Sequence, residues 1–349
     1  MNVAILDSGN SIIKSRTSGK EDDFAHALVA LTTTEFEQIV ARHINLGKGA
    51  IPDGYALVNG AAYAYGETAM RRGNLNRQQG AARYTRDYYG VLAAIALARL
   101  YPRSGDVSLF ASHSPRDAQY SDALCEAVLT DWSVHIAEQQ TRISVMSVNT
   151  FDEPVGGLMN VMLTQDGNGY ERRDIKDCNT LVIDIGGGTT DFQGVMPNGA
   201  LDYNVSLSVP LGINRIEADF ENAVRQNNPE LFQTAFEVPK DRFRRAIRIG
   251  KFSGAGRDIP CENEVTEASY LLLSQIREAY QSRAGGRAVW DAIILTGGGS
   301  AMLYDKLVNE VLEHDRVILA DPDIDKLHMA NVRGGMKLWR LVQAAGRTA

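Results

Sequence analysis

The sequence predicts an α/β protein made of two related halves around a shared cleft, and three observations carry that prediction. Apolar runs of strand length alternate with stretches of helical period along the 349 residues, the pattern of α/β architectures. One local plan occurs twice, about half a chain apart. "AILDSGNSIIK" around Asp7 and "VIDIGGGTTDF" around Asp184 each run apolar strand, Asp, x, Gly, small polar turn, second strand. A hairpin turn alone does not demand an Asp ending the first strand in both copies, so the repetition points to two domains whose hairpin tips face one cleft. A third glycine run, Gly297–Gly299, stops the strand "AIILT" just before another helical stretch.

Taken in order, "NVAILD" and "SIIKSR" read as a hairpin around "SGN". A helix over Asp87–Tyr101 precedes a buried strand at Asp106–Ser112, and a second helical stretch, "PRDAQYSDALCEAVLTDW", follows it. From Leu181 the chain reads as a meander: "LVIDIG", "TTDFQGVM", the turn "PNG", then "ALDYNVSLS". Ile213, Ile216, Phe220 and Val224 fall at helical spacing, as do Val265, Ala268, Leu272, Ile276 and Ala279. After "AIILT" come a helix ("AMLYDKLVNEVLEHD"), a strand ("RVILA") and a last helix through "MKLWRLVQAAG".

Composition narrows the class. Hydrophobic content of 44% and charged content of 23% are those of a globular protein. The net charge of −7 argues against a general nucleic-acid or anionic-membrane surface, so neither direct DNA binding nor membrane attachment is expected. No apolar run reaches the ~18–20 residues of a membrane span, and the start of the chain does not read as a signal peptide. The three cysteines, Cys125, Cys178 and Cys261, show no CxxC pairing, which fits a reducing, cytoplasmic setting. The six histidines show no HxxxH spacing suited to zinc.

Three consecutive glycines are costly in a strand unless backbone must turn sharply and lie very close to something. A phosphate held by bare N–H groups is the candidate. Ser8, Gly9, Asn10 and Ser11 offer donors at the first tip with Lys14 as a positive charge, and Gly186, Gly187, Gly188 and Thr189 offer the second. Two such tips can clamp nucleotide phosphates from both sides. Asp7 and Asp184 then flank a Mg²⁺ through its waters, since that ion dehydrates reluctantly. "ILTGGGSAM", with Gly297, Gly298, Gly299, Ser300 and Met302, is strand, glycine turn and helix. It suits a base or sugar lying on backbone with a helix N-terminus beside the α-phosphate. No GxxxxGK[ST] is present, so this is not a P-loop protein.

On these motifs the sequence resembles the actin-like ATPase superfamily: phosphate 1 "LDSGNSIIK", phosphate 2 "VIDIGGGTTDF" and adenosine "IILTGGGSAM" occur in the family's order across the whole chain. "FDEPVGGLMNVML" is similar to the family's first connecting segment, with Pro154 able to open a helix. "MANVRGGMKLW", with Ala330, Asn331 and Gly334, is similar to the second. The resemblance implies two ribonuclease-H-like domains around a nucleotide cleft: domain I over 1–165, rejoined by 321–349, and domain II over 166–320. It implies ATP/ADP and Mg²⁺ as cofactors, Asp184 among the catalytic residues, and Glu153 as the group that orients the attacking water. A plain helix-start carboxylate is the rival reading of Glu153. "VNGAAYAYGETA" and "RYTRDYYGVLAAIAL" resemble the ParM/StbA and archaeal ParM-like group, which implies a self-assembling filament, with plasmid segregation through a DNA-binding adaptor protein as one role. The tip GGGTTD is that of chaperones and lacks actin's acidic residue.

The alternative function is a small-molecule kinase of the same superfamily, which needs an acceptor pocket. A peptide-holding chaperone is disfavoured because nothing follows the ATPase unit, and a membrane-tethered actin because "RLVQAAGRTA" is too weakly apolar. Arg71, Arg72, Arg77, Arg83 and Arg86 form a basic run that reads as a solvated loop, with a neighbouring subunit or DNA as the other options. Arg242, Arg244, Arg245, Arg248 and Lys251 cluster on one helix, where one of them can border the adenine.

Overall fold

A computed structural model describes residues 2–72, 78, 80–197, 199–232, 240–254, 256–286 and 289–347. Among these residues the first sheet takes β1 (Asn2–Ser8), β2 (Ile12–Arg16), β3 (Glu21–Ala25), β4 (Leu28–Leu31), β5 (Tyr55–Val58), β6 (Ala61–Tyr65), β7 (Gly105–His113), β8 (Asp131–Ile136) and β9 (Gln139–Asp152), ordered β3-β2-β1-β7-β9-β8-β5-β6-β4. β10 (Thr180–Ile185), β11 (Thr190–Val195) and β12 (Leu201–Val209) start the second sheet. β13 (Lys251–Gly254) and β14 (Arg257–Pro260) form a separate hairpin. β15 (Ala292–Thr296) and β16 (Val317–Leu319) complete the order β12-β11-β10-β15-β16.

The repeated motif is a repeated topology. β3-β2-β1-β7-β9 pairs antiparallel, antiparallel, parallel, parallel, and β12-β11-β10-β15-β16 does the same. In the first copy Asp7 lies opposite Lys14; in the second Asp184 lies opposite Asp191. The two copies thus share a frame and differ in the charge facing the aspartate.

The helices are α1 (Thr33–Asn45), α2 (Gly66–Arg71), α3 (Val91–Leu100), α4 (Ser121–Val128), α5 (Glu153–Met162), α6 (Arg173–Lys176), α7 (Ile213–Asn227), α8 (Lys240–Ile249), α9 (Glu262–Arg283), α10 (Gly298–Lys306) and α11 (Ala330–Arg347). α3 is apolar all round except Arg99 and is buried on every side, as such a helix must be. α7 and α9 bury the residues their spacing picks out, Ile216, Phe220 and Val224, and Ala268, Leu272, Ile276 and Ala279.

Two readings of the sequence need correction. The helix expected through Trp132 ends at Val128. From Asp131 the burial has period two, Trp132 and Val134 facing in, so the segment is β8, and the Trp132 indole donates to the Val128 carbonyl at 3.1 Å. The helix expected to run to Asp315 is α10 followed by wider π turns that stop at Leu312, where Glu313 takes φ 45°.

α5 and α11 tie the sheets together by exchange. α5 leaves β9 of the first sheet yet packs Leu158, Val161 and Met162 with Val182 and Ile294 of the second. α11 follows β16 of the second sheet and packs Val332 and Met336 with Ile5, Phe110 and Phe151 of the first. Where the two helices cross, glycines face each other. A Cβ on Gly334 would overlap the Gly156 carbonyl oxygen, and one on Gly156 would meet the Asn331 backbone. Gly334→Ala is therefore expected to cost roughly 1–3 kcal/mol and several degrees of melting temperature, because backbone and not a side-chain tip must move. An unchanged thermal melt would show that the crossing has slack.

Candidate functional site

Each hairpin tip is held largely by its carbonyls; at the second tip the Gly186 N–H is also spent, donating to Thr189 O at 2.9 Å. At the first tip the His26 amide donates to Ser11 O at 2.8 Å, and His26 Nδ1 donates to Gly9 O at 2.6 Å. At the second, the first amides of α7 do the same work: Ile213 donates to Gly186 O at 3.1 Å and Asn214 to Gly187 O at 2.7 Å. The tips also meet. Ser11 Oγ donates to Asn214 Oδ1 at 3.0 Å, and a Cβ on Gly187 would overlap the Ser11 hydroxyl. Glycine is thus required at 187 by close approach of the partner tip.

Below the tips lies a cluster of carboxylates from four elements. Asp7, next to last in β1, is fully buried, its Oδ2 accepting from Lys14 Nζ at 2.7 Å, while its buried Oδ1 has no partner. Asp184, next to last in β10, accepts from Asn331 Nδ2 at 2.6 Å, and Asn331 Oδ1 in turn accepts from Thr296 Oγ1 at 3.0 Å. Asp191, buried on β11, accepts from Thr189 Oγ1 at 3.1 Å. Glu153, partly buried, is the first residue of α5, with Pro154 second.

These groups perturb one another. Burial first, then Asp7, Asp184 and Asp191, raises the Glu153 carboxyl well above the usual range. Burial also raises Asp184, against the pull of Lys14 and the Asn331 amide. For Lys14 burial acts downward, but Asp7, Asp184 and Glu153 outweigh it and hold the ammonium above its ordinary value. Asp191 is pushed up to about 7, mainly by burial.

A pH dependence follows. Between the ordinary value of 3.8 and about 7, folded Asp191 keeps a proton that the unfolded chain has lost. Stability from this group is therefore full below the ordinary value and lost as pH rises through about 7. The nucleotide-free protein is expected to lose on the order of 4 kcal/mol at most between about pH 4 and pH 8 from this source. Melting curves across that range should flatten in Asp191→Asn; an equal slope in both proteins would exclude Asp191 as the cause.

The cluster fits a cation. It sets four carboxylates against one lysine and leaves a buried Asp7 oxygen without a donor. Among the described residues no three His, Cys, Asp or Glu side chains are arranged to hold an ion directly, so binding through water and phosphate is the mode these residues suit.

The third glycine turn closes the cleft. Gly297, at φ 85°, precedes α10, whose first turn presents Gly298 and Gly299. A Cβ on Gly299 would overlap Ile185. The cleft holds about 240 Å³ between Gly9, Asn10, Ser11, Lys14, Glu153, Asp184, Gly186, Gly187 and Thr189 at one end, and Ile213, Glu217, Gly297–Gly299, Met302 and His328 at the other. Asp7 and Ser8 are buried and are not among the residues that line it. Gly188 faces a second cavity behind the tips. Ser300 is buried and spends its hydroxyl on Thr296 O at 2.6 Å. Of the arginine cluster proposed near the base, Arg242, Arg245 and Lys251 line a separate groove, and the side chains of Arg244 and Arg248 lie outside the described residues. Asp191, Asn331's bond to Asp184 and Asn214 are site features the sequence reading missed. For Asp191 the signal was present, since it holds the position that Lys14 holds in the first copy.

No family model and no curated protein matches the chain. Solved structures do. The archaeal actin homolog Ta0583 superposes with a TM-score of 0.71 at 18% identity, over 99% of this chain and 100% of that one. The same homolog in complex with ADP gives 0.69 at 16%, over 99% and 100%. A 15-stranded ParM filament from Clostridium botulinum gives 0.74 at 17%, over 96% of this chain and 99% of that one. The chain has the actin-like fold, a mixed α/β architecture in two related halves.

Proposed function

We propose that this chain binds Mg-ATP between the two tips, hydrolyses it, and assembles into filaments whose lifetime is set by that hydrolysis. The observation that carries the reading is the pair of tips from separate sheets, carbonyls tied back, meeting over a carboxylate cluster beside the N-terminus of α10. The ADP complex of the archaeal homolog and the ParM filament support it by analogy of fold. Domain I is proposed as 1–165 with 321–349 and domain II as 166–320, with the α5–α11 crossing between them.

The roles follow from chemistry. N–H groups of Gly9–Ser11, Gly187 and Thr189, with Lys14, bind the phosphates, while the Gly186 N–H shapes the tip by donating to Thr189 O; Gly297–Gly299 and Met302 take the nucleoside. Asp7 and Asp184 would hold Mg²⁺ through water, and that ion would supply positive charge to the phosphate oxygens. Glu153 orients the attacking water and accepts its proton. The biological role is filament-driven segregation of a plasmid or other DNA through an adaptor protein, or another cytoplasmic cytoskeletal task.

Sedimentation with ATP and Mg²⁺, followed beside phosphate release, tests this. Protein that pellets with ATP and returns to solution as phosphate is released supports the reading. Turnover that requires a small-molecule acceptor and never yields a pellet supports the kinase.

A further inference from the structure

We propose that Arg83 is a positioning residue for the first phosphate tip, holding Asn10 against the second tip so that a nucleotide meets both tips at once. The inference rests on the nucleotide reading of the cleft. Arg83 belongs to the basic run 71–86, but it is not part of a solvated face. It is 6% exposed, whereas Arg71, Arg72 and Arg86 are exposed, and Arg77 lies outside the described residues.

Its guanidinium straddles Gly9. Nη1 donates to Asn10 Oδ1 at 3.1 Å and Nη2 to Ser8 Oγ at 3.0 Å. Asn10 is itself wedged between tips, since a Cβ on Gly188 would sit 3.0 Å from Asn10 Nδ2. One rigid fork therefore fixes both flanks of a glycine that would otherwise let the tip flex. The fork is fixed in turn: it lies 5.5 Å over the Tyr84 ring, whose hydroxyl donates to Asp117 Oδ2 at 2.7 Å. Asp117 lies in the 3₁₀ turn Pro115–Tyr120 after β7. Arg83 Nε is buried with no hydrogen-bond partner, and the residue lines the second cavity of about 230 Å³. The Asp117 carboxylate lies 3.9 Å from Nη1 and balances the buried charge, while both Nη hydrogen bonds go to the tip, so the role of the fork is sought there.

The test is the affinity of the full chain for a fluorescent ATP analogue with Mg²⁺, with turnover at saturating ATP beside it. Arg83→Lys keeps the charge and loses the fork, so affinity should fall about tenfold or more, the equivalent of one or two charged hydrogen bonds. Turnover at saturation should stay within about twofold, because the fork does not touch the reacting atoms. Asn10→Ala should weaken binding in the same direction, and the double variant should bind no more weakly than the worse single one. A parent that binds while Arg83→Lys binds equally well overturns this inference alone. So do effects that simply multiply, or a loss of affinity that tracks a loss of folded protein in nucleotide-free melts. A parent that does not bind overturns the nucleotide reading and this inference with it.

Discussion

Asp184→Ala is expected to abolish the Mg²⁺ dependence of both nucleotide binding and hydrolysis while leaving the nucleotide-free protein folded. Asp184 is next to last in β10, and its carboxyl is raised by burial despite Lys14 and the bond from Asn331. A buried carboxylate of that kind is not kept for stability, since its ionised form is costly without a cation. Removing it trades a desolvated charge for a small gap under the tips; Asn331 Oδ1 keeps its bond from Thr296 Oγ1, while the neutral Asn331 Nδ2 loses the one it made to Asp184. The nucleotide-free melt should shift by only a few degrees. The parent should bind ATP more tightly as Mg²⁺ is added, and the variant should not. Asp7→Ala should share that loss but also strand Lys14, whose 2.7 Å partner disappears. It should therefore be the less stable of the two. Unaltered Mg²⁺ dependence in either variant would dismiss the shared cation site.

How far the site could be read from sequence depended on how local its determinants are. Both tips and the third glycine turn were legible because each is a strand stop, an Asp or Thr and a glycine turn within a dozen residues. The doubled topology followed from that repetition. β3 to β6, β8 and β9 were not legible. The "EDDFA" of β3 is mostly polar, and α1 interrupts the strands between β4 and β5. Such segments are strands because the sheet pairs them, and period-two burial of Trp132 and Val134 emerges only once β8 is docked. The exchange of α5 and α11 between sheets was equally hidden, since an apolar helix face does not say which sheet it covers. Arg83 was hidden for a related reason. In "AARYTRDYYG" it looks like one more solvated arginine, and only the fold brings it from far along the chain to Ser8 and Asn10.

Glu153 is where binding and chemistry should part. As the first residue of α5 it carries a carboxyl raised above the usual range by burial and by three neighbouring aspartates, with Lys14 opposing them. A plain helix-start carboxylate would be exposed and would gain from the macrodipole; this one is crowded by like charge, an arrangement that costs stability and needs another use. Glu153→Gln keeps the shape, removes one charge from the crowd and leaves both tips and Gly297–Gly299 untouched. ATP affinity should be retained or improved, and the nucleotide-free melt should rise or hold. Hydrolysis should fall by ~10²–10⁴-fold, about 3–5 kcal/mol of barrier, because an amide cannot accept the proton of the attacking water. If assembly follows ATP binding and disassembly follows its cleavage, the variant should pellet with a limiting dose of ATP and stay pelleted long after the parent has dissolved. Phosphate release and pelletable protein, followed together after that single dose, decide the matter. Undiminished release would return Glu153 to the role of a helix-start carboxylate. Loss of ATP binding would assign it to the architecture of the cleft, with the water oriented by another group.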